Sequence, residues 1–294
     1  MLLLPLLAGC VINGDKYPRP RDLTPAWKVD KPRILAVVAE PPEARPGELV
    51  TFSALVGRPP GDEDLDYRVW LACPLDESVG ATCGTSLDGL DLEELDPEAL
   101  AELGLIGFEP FLPPAYVVPT DALDALSPED RLEGTYVLVQ TTVLPPEAIE
   151  DPEVQLDPAT LEASYKRLVV SLAPTPNHNP GFVAFGVDGI RVPADGVVHV
   201  DRLQVYDLEV VLSAGSIETY TFVNSDGVEE ERVEEPYVAW YATDGDMTEE
   251  VTLYPYLQAT WVAPERSGTR GTWYAVARDR RGGMAFWTQS WVVD

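Results

Sequence analysis

The sequence predicts an all-β protein built from two tandem β-sandwich domains. Three observations support this. Short, β-branched apolar runs recur from Pro32 to the C-terminus, separated by Pro, Gly and Asp. Each half places a tryptophan inside one such run, Trp70 in the first and Trp240 in the second. Between the halves, Pro174-Thr175-Pro176-Asn177-His178-Asn179-Pro180-Gly181 holds turn formers too densely for a strand. A chain of 294 residues with 45% hydrophobic content can bury two cores. The expected organisation is therefore a first domain over 32–173, a linker over 174–180 and a second domain over 181–294.

The N-terminus reads differently. Met1 to Gly9 is apolar and too short to span a bilayer, and Leu7-Ala8-Gly9-Cys10 resembles the lipobox of bacterial lipoproteins. In that family the bond before the cysteine is cut, and the cysteine takes a diacylglyceryl thioether and an amide-linked acyl chain such as palmitate. The resemblance implies a signal peptide over 1–9 and lipidation at Cys10, with no other cofactor. A signal peptide carries a positive n-region, and none precedes Leu2, so the n-region is expected to be trimmed or to start upstream. Val11 follows the cysteine where the family uses aspartate for inner-membrane retention, which implies the outer membrane. Residues 10–31 read as a tether. Pro18, Pro20 and Pro25 stiffen it, giving about 60 Å at the polyproline rise of about 3.1 Å per residue. From Val11 to Lys31 it holds five basic residues against three acidic ones, although the whole chain carries a net charge of -30.

In the first domain, Arg33–Ala39 and Leu49–Val56 read as strands around the turn signal Pro46-Gly47. Tyr67–Cys73 alternates and sets Trp70 on one face. Leu87–Gly104 breaks the rhythm. There Asp96-Pro97-Glu98 supplies an N-cap, a first-turn proline and an acid, so a short helix is expected over 97–103 in an acidic insert near 87–104. Strands resume at Gly134–Thr142 and Lys166–Leu172, with a short helix expected from Asp157 to about Ser164. With Cys10 assigned to lipid, Cys73 and Cys83 form an even pair in an exported chain and read as a disulfide. Closing a loop of about ten residues is worth about 2.7 kcal/mol from chain entropy alone.

The second half is strand and turn: Leu203–Leu212, Glu218–Val223 and Val228–Val233 around Ser225-Asp226-Gly227, Tyr237–Gly245, Gln258–Ala263, Thr272–Arg278 and Ala285–Val293. The runs Val238-Ala239-Trp240-Tyr241-Ala242-Thr243-Asp244-Gly245, Trp261-Val262-Ala263-Pro264 and Ala277-Arg278-Asp279-Arg280-Arg281-Gly282-Gly283 are similar to signatures of bacterial Ig-like and PKD-like modules. That resemblance implies Ig-like sandwiches in an envelope lipoprotein and assigns no catalytic role.

Composition narrows function. Fifty acidic against 20 basic residues argue against a nucleic-acid partner, which needs Lys and Arg for phosphate neutralisation. His178 and His199 are far apart, so no zinc spacing exists. No Gly-x-Ser-x-Gly elbow, Walker loop or zinc-protease motif occurs. Two candidate ligand sites stand out. Asp244, Asp246 and Glu249, with Glu250, place hard oxygen ligands on a turn, as calcium requires, and Asp62-Glu63-Asp64 with Asp66 does the same. Trp287, Gln289 and Trp291 share one strand face and would form a sugar- or peptide-stacking platform if exposed. The expected function is a non-enzymatic, lipid-anchored envelope protein with a structural or protein-interaction role, its sandwiches presenting loops or an edge strand to another envelope component. The alternative is a glycan- or peptidoglycan-binding module using the C-terminal aromatics.

Overall fold

The computed structural model describes residues 24–62, 67–74, 104–147, 161–223 and 228–294. Cys10, Cys83, the carboxylates Glu63, Asp64 and Asp66, the turn 225–227 and the 87–104 insert up to residue 103 lie outside them.

The first domain contains β1 (Arg33–Glu40), β2 (Glu43–Ala44), β3 (Leu49–Gly57), β4 (Tyr67–Pro74), β5 (Leu105–Glu109), β6 (Ala115–Val117), β7 (Thr135–Leu144) and β8 (Glu162–Val170). They form two facing sheets, β1-β3-β6 and β2-β8-β7-β4-β5. β2 runs parallel to β8, whereas the other ladders are antiparallel. Alternation explains the core: Trp70 and Ala72 of β4, Val137 and Val139 of β7 and Leu168 and Val170 of β8 point inward against Val37, Val50 and Phe52. Trp70 is fully buried, and its indole N–H donates to Glu109 Oε2 at 2.8 Å, so the burial leaves no orphan donor.

The second domain repeats the plan with β9 (Phe182–Val187), β10 (Ile190–Val192), β11 (Val197–Val200), β12 (Val205–Leu212), β13 (Thr219–Val223), β14 (Glu229–Val233), β15 (Tyr237–Ala242), β16 (Asp246–Met247), β17 (Val251–Leu253), β18 (Gln258–Val262), β19 (Arg270–Arg278) and β20 (Met284–Val293). One sheet is β10-β9-β12-β18-β16, the other β11-β20-β19-β15-β17, with β13-β14 as a separate hairpin. β11 is parallel to β20, as β2 is to β8. In both domains a first strand, a second strand and a late strand face a sheet of the last three long strands, and the first edge switches sheets. That is the connectivity of Ig-like sandwiches. Trp70 and Trp240 occupy the same strand of the repeat, so the tryptophan repeat read in the sequence is a topological one.

The second core is richer in aromatics. Trp240, Trp261, Trp273 and Trp291 are buried with Phe185. Trp261 meets Trp273 edge to face at 4.8 Å and Trp291 at 5.0 Å. Gly245, at φ +91, sits against the Trp261 indole, where a side chain would collide.

Two assignments need correction. Residues 162–164, expected to end a helix, belong to β8, because β8 pairs with β7 from Glu162 onward and burial alternates along it. The tether also ends earlier than residue 31. Trp27 is buried in the second core, Val29 donates to the Ala242 carbonyl at 2.9 Å and Ala242 donates to the Trp27 carbonyl at 3.0 Å. Residues 27–29 thus extend the open end of β15 beyond β17, which pairs with residues 237–239 only. The strap thereby pairs the end of β15 that β17 leaves uncovered, where backbone groups would otherwise stay open.

Candidate functional site at the domain seam

The two sandwiches meet along a seam with its own small core. Val29, Leu35, Ala36 and Leu55 from the N-terminal side pack on Tyr274 and Val276 of β19. The Tyr274 hydroxyl accepts the Arg58 N–H at 3.2 Å, and Arg278 donates to the Leu35 carbonyl at 3.0 Å. Burial raises the Tyr274 pKa, so the phenol stays neutral and free to make this contact.

The linker is part of this seam. Read as a turn-rich connector, it is pinned at both asparagines. Asn177 is buried; its backbone N–H donates to Glu43 Oε2 at 2.7 Å and its side chain donates to Asp279 Oδ2 at 2.8 Å. Asn179 donates to the Ala39 carbonyl at 2.7 Å and accepts the Met284 N–H at 2.8 Å. One side chain therefore bridges β1 and β20.

The β19–β20 turn is folded around a carboxylate. Asp279 is 2% exposed, and its Oδ1 accepts the N–H groups of Arg281, Gly282 and Gly283 at 2.7, 2.9 and 2.9 Å. Three convergent amides form a concave anion site, and the chain fills it with its own aspartate. The turn aims Arg281 into a ring of acids: Glu234 Oε1 at 3.0 Å, Glu218 Oε2 at 3.3 Å and Glu43 Oε2 at 3.6 Å, with the Tyr220 ring 4.4 Å from the guanidinium. Glu43 is further bound by the Ser171 hydroxyl. Burial pushes Glu234 above the usual carboxylate range, opposed by hydrogen bonds from the Glu218 backbone and Arg281. Planar Arg suits this multi-acceptor site better than Lys.

Beside the knot lies an open groove of about 590 Å³. Lys166 and Arg167 of β8 line one wall, Arg278 and Arg280 the other, and Tyr165, Tyr237 and Met284 add apolar surface. Among the described lining residues there is no carboxylate. Lys166 is buried, its ammonium donates to the Gly282 carbonyl, and desolvation lowers its pKa to about 8 against the pull of Asp279. Arg167 lies over the Tyr136 ring at 5.2 Å. In a chain with 50 acids and 20 basic residues, four of the cations line this groove.

The sequence-derived sites fare differently. Trp287, Gln289 and Trp291 do share a face, but that face points inward. Trp291 is 1% exposed and Gln289 fully buried, with its amide donating to the Gly196 carbonyl at 2.5 Å and accepting the Trp287 indole N–H at 3.3 Å. The platform is thus a core element. The calcium reading also fails at Asp244, Asp246 and Glu249. Asp244 Oδ1 caps the Gly245 N–H and faces Lys28 at 3.6 Å, and Glu249 accepts the Thr260 N–H at 2.7 Å. Among the described residues no group of three or more ligating side chains is placed to hold a metal ion. Asp62 pairs with Arg58 at 2.6 Å. Cys73 lies near the end of β4, and Cys83 lies outside the described residues. Exposed aromatics lie elsewhere, among them Tyr256, 80% exposed, and Phe111, 65% exposed, which stacks on Tyr67 at 6.0 Å.

Among the described residues, no helix is long and apolar enough to cross a membrane. No protein-family model and no curated protein matches the chain. Similar solved structures include DIP-gamma IG1+IG2, with 8% identity, 90% of this chain and 97% of that chain covered and a TM-score of 0.21. The insect immune protein hemolin gives 11% identity, coverages of 93% and 49% and a TM-score of 0.21. Escherichia coli alpha-2-macroglobulin gives 9%, coverages of 89% and 17% and a TM-score of 0.26. At these scores the likenesses assign neither a family nor a function.

Proposed function

We propose that the protein is a non-enzymatic, lipid-anchored component of a bacterial outer membrane that presents two fixed Ig-like sandwiches to another envelope protein. The observation that carries this reading is the strap at Trp27–Val29, which enters the fold at the seam and is bonded to both sides of Ala242. Whatever precedes residue 24 is thereby joined to a two-domain body held by a core and a charged knot, a geometry suited to presentation at a surface. An anchor at Cys10 supplies the attachment, since stable membrane binding takes more than one acyl chain. Counting to Thr24 and not to Lys31 shortens the tether to roughly 40 Å at about 3.1 Å per residue. A Cys73–Cys83 disulfide belongs to the same exported setting. The glycan-binding alternative loses its platform with the burial of Trp291.

The experiment is fractionation of cells expressing the wild-type chain and Cys10→Ser, with mass spectrometry of the N-terminal peptide. Wild type is expected in the outer-membrane fraction with an acylated Cys10, and the variant in the soluble fraction. An unmodified Cys10 in membrane-derived protein, or inner-membrane recovery, contradicts the reading.

A further inference from the structure

The geometry points to the seam groove as the docking site for an acidic, extended segment of a protein partner, held by Arg167, Arg278 and Arg280 along its two walls. This rests on the partner-binding reading above and names the chemistry of the partner.

The charge pattern selects the ligand. Lys166 and Arg167 come from the first domain, and Arg278 and Arg280 from the second. Among the described residues, no carboxylate lies within ion-pair distance of Lys166, Arg167 or Arg278, and Arg280 reaches Glu235 at 3.8 Å at a half-exposed rim. Like charges on opposing walls repel one another unless an anion lies between them. A chain this acidic cannot attract an acidic partner globally, so attraction must be local to such a patch.

The arrangement also separates a peptide from a small oxyanion. The convergent amides of Arg281, Gly282 and Gly283 already hold the Asp279 carboxylate. What remains is a line of side-chain cations spread over two walls, with Tyr165, Tyr237 and Met284 between them. Several carboxylates at intervals, with apolar side chains between, fit that lining. A single phosphate does not. A groove of about 590 Å³ lies within the range of about 300–1,000 Å³ that binding sites occupy. Guanidinium forks bind carboxylates in bidentate fashion, and Arg167 and Arg280 are exposed enough to turn toward a ligand.

The test is fluorescence anisotropy with the full chain and a fluorescein-labelled peptide of alternating glutamate and leucine, with a lysine–leucine peptide as control. The paired variant Arg167→Glu, Arg280→Glu changes two exposed side chains, and its circular dichroism and melting temperature report that it folds. The acidic peptide should bind the wild type, bind more weakly as salt rises, and lose at least about tenfold in affinity in the variant. Equal binding to both proteins, no binding, or full competition by inorganic phosphate at the same charge concentration overturns the proposal. Self-association that the variant abolishes would assign the groove to a second copy and also overturn it. A partner crosslinked equally by the wild type and the variant refutes the groove but leaves the partner-binding reading standing; loss of membrane anchoring touches only the latter.

Discussion

Glu43 Oε2 and Arg281 Nη2 stand 3.6 Å apart, one on a short strand of the first domain and the other on a hairpin of the second. The same guanidinium reaches Glu234 and Glu218, so one cation compensates three carboxylates, with Asp279 behind it. Removing it leaves the buried Glu234 and Glu43 without their cation, while Glu218, partly exposed, keeps His178 at 2.7 Å. Arg281→Met is expected to cost about 3–5 kcal/mol in denaturant unfolding, the range for breaking a buried pair from one side. The triple variant that also changes Glu43 and Glu234 to Gln should recover much of that loss. A loss under 1 kcal/mol in the single variant would place Arg281 at the surface energetically.

Trp27 completes the second core from outside the second domain. Trp27→Ala is expected to cost about 3–5 kcal/mol, as large aromatic truncations do, and the fragment 181–294 should be correspondingly less stable than the same domain within the whole chain. Trp240→Ala should cost as much. Trp287→Ala should cost less, because that ring is half-buried at the edge of the core. Equal stability of the fragment with and without residues 24–31 would remove the strap from the account.

Gly283 approaches Asp279 and the His178 carbonyl so closely that a Cβ would collide with the carboxylate and lie 2.8 Å from the backbone oxygen. Gly283→Ala should therefore open the turn and destabilise by about 1–3 kcal/mol, as overpacking does. Thermal melts of the variant beside Gly268→Ala check this. Gly268 has open space around it but a φ of +79, so its cost is backbone strain alone, about 1 kcal/mol.

Lys166 gives a pH signature. Its pKa falls from the ordinary lysine value to about 8 through burial, with Asp279 pulling it up and Arg278 pushing it down. Between about 8 and 10.5 the unfolded chain holds more protons at this group than the folded one, so stability contributed by Lys166 rises with pH across that window. Glu234 acts oppositely: its carboxyl is raised by burial, so its contribution is greatest in acid and is lost as pH rises through its folded pKa. Denaturant unfolding from pH 7.5 to 10 should show an alkaline gain in the wild type that Lys166→Met abolishes. An unchanged slope in the variant would assign the gain to another group.

Much of the fold was legible because alternation and tryptophan placement are local signals. β1, β3, β4, β7, the C-terminal part of β8, β12 to β15 and β18 to β20 could be read from apolar runs and turn residues, and Trp70 and Trp240 marked the repeated central strand, whereas the two- and three-residue strands β16 and β17 could not. The short parallel strands β2 and β11 were not legible, since two to four residues carry no periodicity and owe their place to a distant last strand. Trp27 was hidden in a proline-rich stretch. Asn177 and Asn179 read as turn formers because their tertiary partners lie 102 and 105 residues away. The aromatic platform misled for a related reason: glutamine between two tryptophans suggests a wet face, and only the Gly196 carbonyl explains why it is buried. Arg278 and Arg280 lay in a run read only as a structural signature, Lys166 and Arg167 in no motif at all, and the grouping of the four exists only once the domains meet.

The most direct test of the central claim, that the seam fuses two sandwiches into one body, is differential scanning calorimetry of the wild-type chain against Arg281→Met. The wild type should give one cooperative endotherm, because each domain borrows packing and charge compensation from the other, and the variant should separate into two transitions, the lower one well below the wild-type midpoint. Two independent transitions in the wild type, with midpoints that Arg281→Met leaves in place, would contradict it.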